Sequence, residues 1–290
     1  MLQLWPLSQG ELAGRTERFI DTAFNAPREL AELPLDPWPR QRYLRAIVDG
    51  GFPEALRLAP GRVRQTWFDS YALTVTMRDL VELADVRRPA DLMTLLRYAA
   101  ASTARTIAKS ELSPKVGIER HRLTTYLGLL ETAYLICDLP AWSRDPAVRI
   151  RRHPKMMMVD TGLAAHLVGV DLAGLEATVS PMRGQLLETV VHAELQRARS
   201  WSSTSVSLSH WRSSQEAEVG LLLETPDGRV VGVEVKAASS VTAADTSGLR
   251  SLAVALGTQY VHGVVLHLGD RTTRFGPDIT AIPLCALWQA

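Results

Sequence analysis

The sequence predicts an α+β protein. A mostly helical portion is followed by a mixed β-sheet that is flanked by helices. Two observations carry this prediction. Between about residues 50 and 135, apolar residues recur at the three- and four-residue spacing of amphipathic helices. After residue 184, a helical stretch is followed by three strand-like segments, a second helix and a further strand, which is the order of an α/β layer.

Composition limits the classes of function. The chain of 290 residues is 46% hydrophobic and 22% charged, which is typical of globular domains. Its 32 basic and 31 acidic residues give a net charge of +1, so only a local patch would hold it to nucleic acid. The sequence has no run of 18 apolar residues and no signal-peptide pattern, and Cys137 and Cys285 each lie in an apolar stretch. We therefore expect a cytoplasmic protein with reduced cysteines and no membrane contact.

The motifs of several enzyme classes are missing from the sequence. No lysine follows a glycine, so the phosphate-binding P-loop is missing and we expect no ATP binding or hydrolysis by this chain. The spacings GxGxxG after a strand, GxSxG and HExxH do not occur either. His192 and Glu194 imitate half of a zinc deaminase motif, but the PCxxC half does not follow.

Three portions are predicted along the chain. Residues 1–49 contain five prolines that interrupt short helical stretches, which indicates an irregular helical segment without its own core. Residues 50–157 form the helical portion, and residues 158–290 form the α/β domain.

A winged helix is predicted inside the helical portion. A short helix at 110–116, a turn at Gly117-Ile118 and a longer helix at 119–135 form a helix-turn-helix pattern. Residues 144–155 contain five basic residues against Asp145, a local net charge of +4, and they fit a β-hairpin wing. Winged helices place the second helix in the DNA major groove while the wing contacts phosphates. The alternatives are a wing that contacts protein or one that is only solvated. The expected nucleic-acid-binding residues are Arg120, Arg122, Arg144, Arg149, Arg151, Arg152 and Lys155.

A β-hairpin is predicted between residues 216 and 236. Pro226-Asp227-Gly228 reads as a three-residue loop with glycine at the position that needs a positive φ. If Thr225 and Arg229 flank the loop, Gly220 lies opposite Glu234 and Glu218 lies opposite Lys236. The two-residue period of a strand puts these four residues on one face, and it puts Val219, Val233 and Val235 on the other.

This face of the hairpin allows two interpretations. Charged residues often alternate on the solvated side of an antiparallel hairpin. In a metal-dependent phosphodiesterase, by contrast, carboxylates on neighbouring strands hold Mg²⁺, and a lysine beside them orients or activates the attacking water. Glu188, on the helix just before the sheet, favours the second interpretation.

Together, Glu188, the hairpin strand and Glu234-Val235-Lys236 resemble the core of PD-(D/E)XK nuclease-like domains. More widely, the chain resembles the C-terminal domain of unknown function of bacterial and archaeal AAA-family ATPases. The matching pieces, which span nearly the whole chain, are Gly50-Gly51-Phe52-Pro53-Glu54, Trp67 with Tyr71, Arg78-Asp79, Pro154-Lys155, Asp160-Thr161-Gly162-Leu163, Gly184 with Glu188, His210-Trp211-Arg212 and Glu234-Val235-Lys236.

The resemblance implies a set of site residues and one departure. The implied catalytic residues are Glu188, Glu218, Glu234 and Lys236, with Glu188 and Glu234 as ligands of a weakly held Mg²⁺. The family hairpin usually reads Glu-Val-Asp, but here it reads Glu218-Val219-Gly220, so a glycine replaces the central metal ligand. Loss of one carboxylate removes a charge and a ligand position. Glu218 lies about 7 Å further along the strand and would compensate only by a longer reach. We therefore expect absent or weakened catalysis with the fold retained.

The resemblance also implies partners. Residues 4–12 resemble the segment that leaves the ATPase core in such proteins, whereas the Walker A and Walker B strands do not appear. The expectation is an effector module, either truncated or stand-alone, that is associated with DNA or RNA and with an ATPase core in cis or in trans. The alternative is a non-catalytic module for protein interaction or regulation.

Overall fold

A computed structural model describes residues 3–213, except 85 and 87, and residues 217–290. Glu216, where we expected a strand to begin, lies outside these residues. The α-helices are α1 (Gln9–Leu12), α2 (Phe19–Asn25), α3 (Arg40–Asp49), α4 (Pro53–Arg57), α5 (Arg62–Thr74), α6 (Leu80–Leu83), α7 (Pro89–Ala101), α8 (Lys109–Val116), α9 (Arg120–Thr132), α10 (Pro146–Arg151), α11 (Thr161–Leu167), α12 (Leu172–Glu176), α13 (Pro181–Ala198), α14 (Ser247–Leu256) and α15 (Ala286–Gln289). A π-helical turn (Val75–Asp79) continues α5, and 3₁₀ turns lie at Pro27–Ala31, Ala243–Thr246 and Gly257–Gln259.

The strands form two sheets. They are β1 (Arg105–Thr106), β2 (Ile136–Leu139), β3 (Lys155–Met158), β4 (Ser207–Arg212), β5 (Glu218–Glu224), β6 (Val230–Lys236), β7 (Tyr260–His267), β8 (Thr273–Arg274) and β9 (Ile279–Pro283). A three-stranded sheet has the order β1-β3-β2, and a six-stranded sheet has the order β4-β5-β6-β7-β9-β8. Helices with a mixed sheet confirm the predicted α+β class.

The described chain divides into two compact units, each built from separated segments. The first contains residues 1–7, 45–138 and 153–189, and the second contains residues 8–44, 139–152 and 190–290. Both α3 and α13 run from one unit into the other. The domain boundaries expected from sequence, at 49/50 and 157/158, stay predictions.

The first unit is helical and contains the small sheet. Leu92, Leu95 and Leu96 of α7 are fully buried, as expected from their helical spacing. The helix-turn-helix pattern is confirmed, because α8 and α9 are joined through Gly117, which has a φ of 70°. This left-handed conformation costs glycine little, which explains the end of α8 at this residue.

The second unit is built around the large sheet. Its strands pair antiparallel from β4 to β6, parallel from β6 through β7 to β9, and antiparallel between β8 and β9. Leu249, Leu252 and Leu256 of α14 are buried with Leu222 and Val265 of the sheet. Strands β8 and β9 had no sequence prediction. Among the described residues, no helix is long and apolar enough to cross a membrane.

Candidate functional site

The predicted hairpin forms between β5 and β6. The Thr225 N–H donates to the Arg229 carbonyl oxygen over 3.0 Å, and Gly228 has a φ of 84°. In the ladder, Leu221 pairs with Val233 and Glu224 pairs with Val230. This is the register derived from the loop, so the prediction is confirmed over the part of the hairpin nearest the loop.

The ladder changes at Gly220. The β5–β6 pairs end at Leu221 and Val233, and the Gly220 N–H donates to Oε1 of Glu234 over 3.2 Å. At Gly220 a side-chain carboxylate thus accepts the hydrogen bond from the backbone N–H, whereas nearer the loop backbone carbonyl groups accept such bonds. Gly220 lies beside Glu234 as predicted. It contributes a backbone N–H donor, whereas the aspartate of the family would contribute a carboxylate.

One part of the predicted face is wrong. Relative to β4, β5 carries one extra residue, since Ser209 pairs with Leu222 but Trp211 pairs with Val219. A bulge of this kind shifts the alternation of side chains. Val219 therefore lies in the buried cluster that contains Leu222, on the side of the sheet that α14 covers, and is not on the face opposite Glu234. Glu218 is exposed and pairs with Arg212 in the β4–β5 ladder.

The hairpin lysine has an acidic partner that was not predicted from the sequence. Nζ of Lys236 lies 3.6 Å from Oδ1 of Asp245, and both side chains are about one-third exposed. Hydrogen bonds from the backbone and the side chain of Thr242, together with Lys236, hold the pKa of Asp245 below its usual value. Thr242 and Asp245 form a capping box, and this three-residue spacing of threonine and acid is the signal in the sequence.

The start of α14 approaches the hairpin closely. A Cβ added to Gly248 would lie 2.2 Å from the Glu218 carbonyl oxygen and 3.6 Å from Oε1 of Glu234. Only glycine fits this distance without a movement of the backbone. The backbone of β5, the Glu234 carboxylate and the first turn of α14 therefore form one tightly packed corner.

Glu188, expected as a metal ligand, is an ion-pair partner of Lys155. Nζ of Lys155 lies 2.7 Å from Oε1 of Glu188, and only 5% of the lysine side chain is exposed. Both residues belong to the first unit, whereas Glu218, Glu234 and Lys236 belong to the second. Next to Glu188, the hydroxyl of Thr189 is hydrogen-bonded to that of Thr103 over 2.8 Å.

The residues expected to bind Mg²⁺ have other partners in this structure. Glu188 faces an ammonium group, Glu234 accepts a backbone N–H, and Gly220 brings no carboxylate. Within the part of the chain that the structure describes, no group of three or more His, Cys, Asp or Glu side chains is placed to hold a metal ion.

The predicted hairpin wing at 144–155 is wrong. Residues 146–151 form the helix α10, and β3 begins only at Lys155. The Asp145 side chain accepts the Ala147 N–H, and Pro146 is the first helical residue. An aspartate cap followed by proline is a strong start signal for a helix, and it outweighs the basic composition that suggested a wing.

Most basic side chains of this segment already have protein acceptors. Arg149 forms two hydrogen bonds with the carboxylate of Glu224, at 2.6 and 2.8 Å. Burial acts to raise the pKa of Glu224, but the bonds from Arg149 and Trp142 hold it below its usual value. Arg144 donates to the Ala255 carbonyl oxygen over 2.7 Å. The guanidinium of Arg152 bonds a backbone carbonyl oxygen of β4. Among the described residues, exposed Arg151 bonds the Ala147 carbonyl oxygen of its own helix and no other group.

The arginines of α9 differ from one another. Arg122 lies 3.6 Å from Asp91 and 3.5 Å from Glu119, so its charge is shared with two carboxylates. Arg120 is exposed, at the rim of a cavity of about 190 Å³ that Glu131 and Asp138 also line. Burial raises the pKa of both carboxyl groups. This helix therefore presents a mixed surface of both signs.

Two motifs of the resemblance lock against each other in the first unit. The Gly51 N–H donates to Oδ2 of Asp160 over 2.7 Å, while Oδ1 of Asp160 accepts the Leu163 N–H at the start of α11. A Cβ at Gly50 would lie 2.5 Å from this carboxylate. The two glycines and the Asp-Thr-Gly-Leu motif are thus structural partners.

Comparison with known families gives two matches. Residues 40–173 match the model of a domain of unknown function (DUF8612), and residues 183–287 match that of another (DUF4143). The second is a C-terminal domain type associated with AAA-family ATPases. This chain is similar to an ATPase-associated C-terminal domain.

Similar proteins are known from several bacteria. An uncharacterized protein of Mycobacterium bovis and one of Mycobacterium tuberculosis are each 27% identical over 281 residues, which cover 96% of this chain and 58% of the relative. An uncharacterized protein of Haemophilus influenzae is 24% identical over 125 residues, or 41% of this chain and 31% of the relative. The chain thus spans 58% of the length of the mycobacterial relatives. No solved structure matches it.

Proposed function

We propose that this chain is a non-catalytic effector module of an AAA-family ATPase-type protein, and that it acts through protein contacts. Its second unit is proposed to descend from a PD-(D/E)XK nuclease-like domain whose metal site has been lost. The observation that carries this proposal is the hydrogen bond from the Gly220 N–H to the Glu234 carboxylate. Where the family places a metal-binding aspartate, this chain joins backbone to carboxylate.

The order of elements supports the nuclease-like origin. Helix α13 is followed by β4, β5 and β6, then by α14 and β7. Glu234 and Lys236 lie on β6 beside the parallel strand β7, so the motif occupies a central strand of the sheet. The match to an ATPase-associated domain type over residues 183–287 covers the same elements.

The contacts of the motif residues support the loss of catalysis. A metal-dependent phosphodiesterase needs carboxylates that converge on a cation and a lysine directed at the attacking water. Here Lys236 faces Asp245, and Glu188 is neutralised by Lys155. Glu188, Glu234 and Lys236 thus each contact neighbouring backbone or side chains.

The basic residues support protein contacts over nucleic-acid contacts. Non-specific nucleic-acid binding requires several cations that are free to meet phosphates. Arg144, Arg149 and Arg152 instead donate to carbonyl or carboxylate oxygens of the second unit. The mycobacterial relatives are longer than the match, and an ATPase core in cis or in trans is the proposed partner.

The test restores the missing carboxylate. Gly220→Asp restores the carboxylate of the family motif at the residue whose N–H Glu234 accepts, and Gly220→Asn is a control of similar size without the charge. Melting temperature and cleavage of plasmid DNA are measured with and without Mg²⁺ or Mn²⁺. We expect metal-dependent stabilisation only in Gly220→Asp, and neither stabilisation nor cleavage in the parent.

The loss of catalysis and the nuclease-like origin are refuted by different results. Metal-dependent cleavage by the parent, if it is lost in Glu234→Gln, would refute the non-catalytic assignment. If Gly220→Asp responds to metal no more than Gly220→Asn does, the nuclease-like origin of this face is refuted.

A further inference from the structure

A cavity of about 420 Å³ lies among the helices of the first unit. Three helices each line it with two residues that are four positions apart, a spacing that puts both side chains on one face of a helix. These pairs are Arg45 and Asp49 on α3, Arg64 and Phe68 on α5, and Gly162 and His166 on α11. Cavities of this size between helices are typical of sites for small molecules.

The buried wall of the cavity is closed by contacts within the protein. Arg64 forms an ion pair with Asp49 and donates to the Leu58 carbonyl oxygen over 2.9 Å, and only 10% of its side chain is exposed. The rings of Phe68 and His166 stack with their centroids 5.5 Å apart. The guanidinium of Arg64 is therefore already bound to acceptors of the protein and offers little to a ligand.

Two polar groups of this wall suit a ligand that donates hydrogen bonds. Oδ1 of Asp49 faces Arg64, but Oδ2 accepts no hydrogen bond from a described residue, and 26% of the side chain is exposed. Nε2 of His166 lies 2.8 Å from Oδ1 of Asp69. Because an ionised carboxylate can only accept, Nε2 is the donor, and the neutral ring keeps Nδ1 as an acceptor.

The exposed side of the cavity is acidic. Asp171 and Glu176, at the two ends of α12, both line it and are exposed. Oδ1 of Asp171 accepts the Gly174 N–H, which leaves Oδ2 for a ligand. Exposed Arg45 is the opposing charge on α3. The described lining residues contain three carboxylates and two guanidinium groups, so their net charge is −1 with His166 neutral.

We propose that this cavity binds a small organic cation, which has an ammonium or guanidinium group and an apolar body. The cationic group donates to the carboxylates, which compensate for its loss of water. The apolar body packs on Val48, Val170 and Leu172, which are half-buried and line the cavity. An anion would instead meet the three carboxylates. Ligand binding in the first unit goes beyond the protein contacts proposed for the chain as an effector module.

Isothermal titration calorimetry on the full chain tests this proposal with hexylammonium, hexanol and hexanoate. These probes share one alkyl chain and differ in the charge of the head group. We expect hexylammonium to bind with a dissociation constant on the order of 1 mM, as is typical of a ligand with so few heavy atoms. Hexanol and hexanoate should bind at least about tenfold more weakly, because they lack the charge that the carboxylates attract.

Charge variants test the lining residues. Asp171→Asn combined with Glu176→Gln removes both charges of α12, while asparagine preserves the helix cap. This double variant should weaken the binding of hexylammonium at least about fivefold. Arg45→Gln should tighten it, since the opposing cation is removed. Glu111→Gln is the matched control, because Glu111 is an exposed acid of the same unit that does not line the cavity, and it should change nothing.

A variant that alters no charge tests the cavity itself. Ala173 lies on the exposed part of the lining, so Ala173→Trp places a large ring in the cavity and should abolish binding. Circular dichroism checks that the helices of each variant are retained. A parent that does not bind hexylammonium, or that binds hexanoate as tightly, overturns the proposal. Binding that is unchanged in Ala173→Trp or in the double variant of α12 overturns it as well.

Discussion

The ammonium group of Lys155 lies 2.7 Å from a carboxylate oxygen of Glu188, and only 5% of the lysine side chain is exposed to solvent. This pair joins β3 to α13 inside the first unit. A residue expected to touch phosphate and a residue expected to bind a metal thus neutralise each other.

Removal of either partner should destabilise the protein. Lys155→Met leaves the Glu188 carboxylate without its cation, and we expect a loss of about 2–4 kcal/mol of unfolding free energy in urea titrations. Lys155→Met combined with Glu188→Leu should recover part of this loss, because no uncompensated charge remains. Exposed Arg151→Ala is the control and should change stability by less than about 0.5 kcal/mol. A single variant as stable as the parent would contradict the structural role of the pair.

The close packing at Gly248 predicts that alanine substitution has opposite effects on stability at two helical glycines. Gly248→Ala should lower the unfolding free energy by about 1–3 kcal/mol, since its Cβ would collide with a backbone oxygen of β5. Gly184→Ala, on α13, has no neighbouring atom within 4 Å of the added Cβ. It should stabilise the protein by about 0.5–1 kcal/mol, because alanine favours the helix. Thermal melts of both variants check the prediction, and equal effects would refute the close approach.

Glu194 predicts a pH dependence of stability. Burial is the main cause that raises its pKa to about 7, although the pair with Arg197 and the Gln9 N–H act against it. Between the ordinary value of 4.5 and about 7, the folded protein holds a proton that the unfolded chain releases. This contribution is therefore fully present below pH 4.5 and is lost as pH rises through 7.

Glu194→Gln should remove that decline. The measurement is the difference in melting temperature between parent and variant from about pH 4.5 to 8, in which groups common to both proteins cancel. His192, whose pKa burial lowers to about 3, acts in the opposite sense but is present in both. Glu176→Gln, at an exposed position, is the control. A pH-independent difference for Glu194→Gln would refute the prediction.

Nucleic-acid binding should be weak and only slightly dependent on salt. Of the basic residues first expected at the interface, exposed Arg120 and Arg151 have no side-chain bond or ion pair outside their own helix among the described residues, whereas Arg144 and Arg152 donate to carbonyl oxygens elsewhere in the second unit. Two phosphate contacts give a slope of log K against log salt of about −1.8. Fluorescence anisotropy on a short duplex measures this slope. A value near −3.6, reduced by Arg151→Ala with Arg152→Ala, would restore the basic segment as a nucleic-acid site.

Short turn motifs in the sequence correctly predicted the turns that they form. The loop Pro226-Asp227-Gly228 was sufficient for the register of β5 and β6, because a short loop with one positive φ leaves few pairings. Gly117 likewise predicted the turn between α8 and α9. In both cases the deciding interaction lies within a few residues along the chain.

The predictions that were wrong or missing concern interactions between residues that lie far apart in the sequence. The bulge that moves Val219 into the core exists only in relation to β4, so the hairpin sequence alone does not contain it. Lys155 and Glu188 are 33 residues apart, and no periodicity links them. At 144–155 the local signal Asp145-Pro146 predicts the helix, and it is a stronger determinant of structure than the net charge of the segment.

The interleaving of the two units determines how this chain must fold during synthesis. Residues 8–44 and 139–152 leave the ribosome early, yet the sheet on which they pack is complete only when β9 has been made. Trp142, part of the buried cluster around α14, must wait for more than a hundred later residues. Such long-range contacts slow folding and keep apolar segments exposed for longer. A fragment cut between the two family matches, near residue 180, would therefore lack part of its own core rather than isolate a domain.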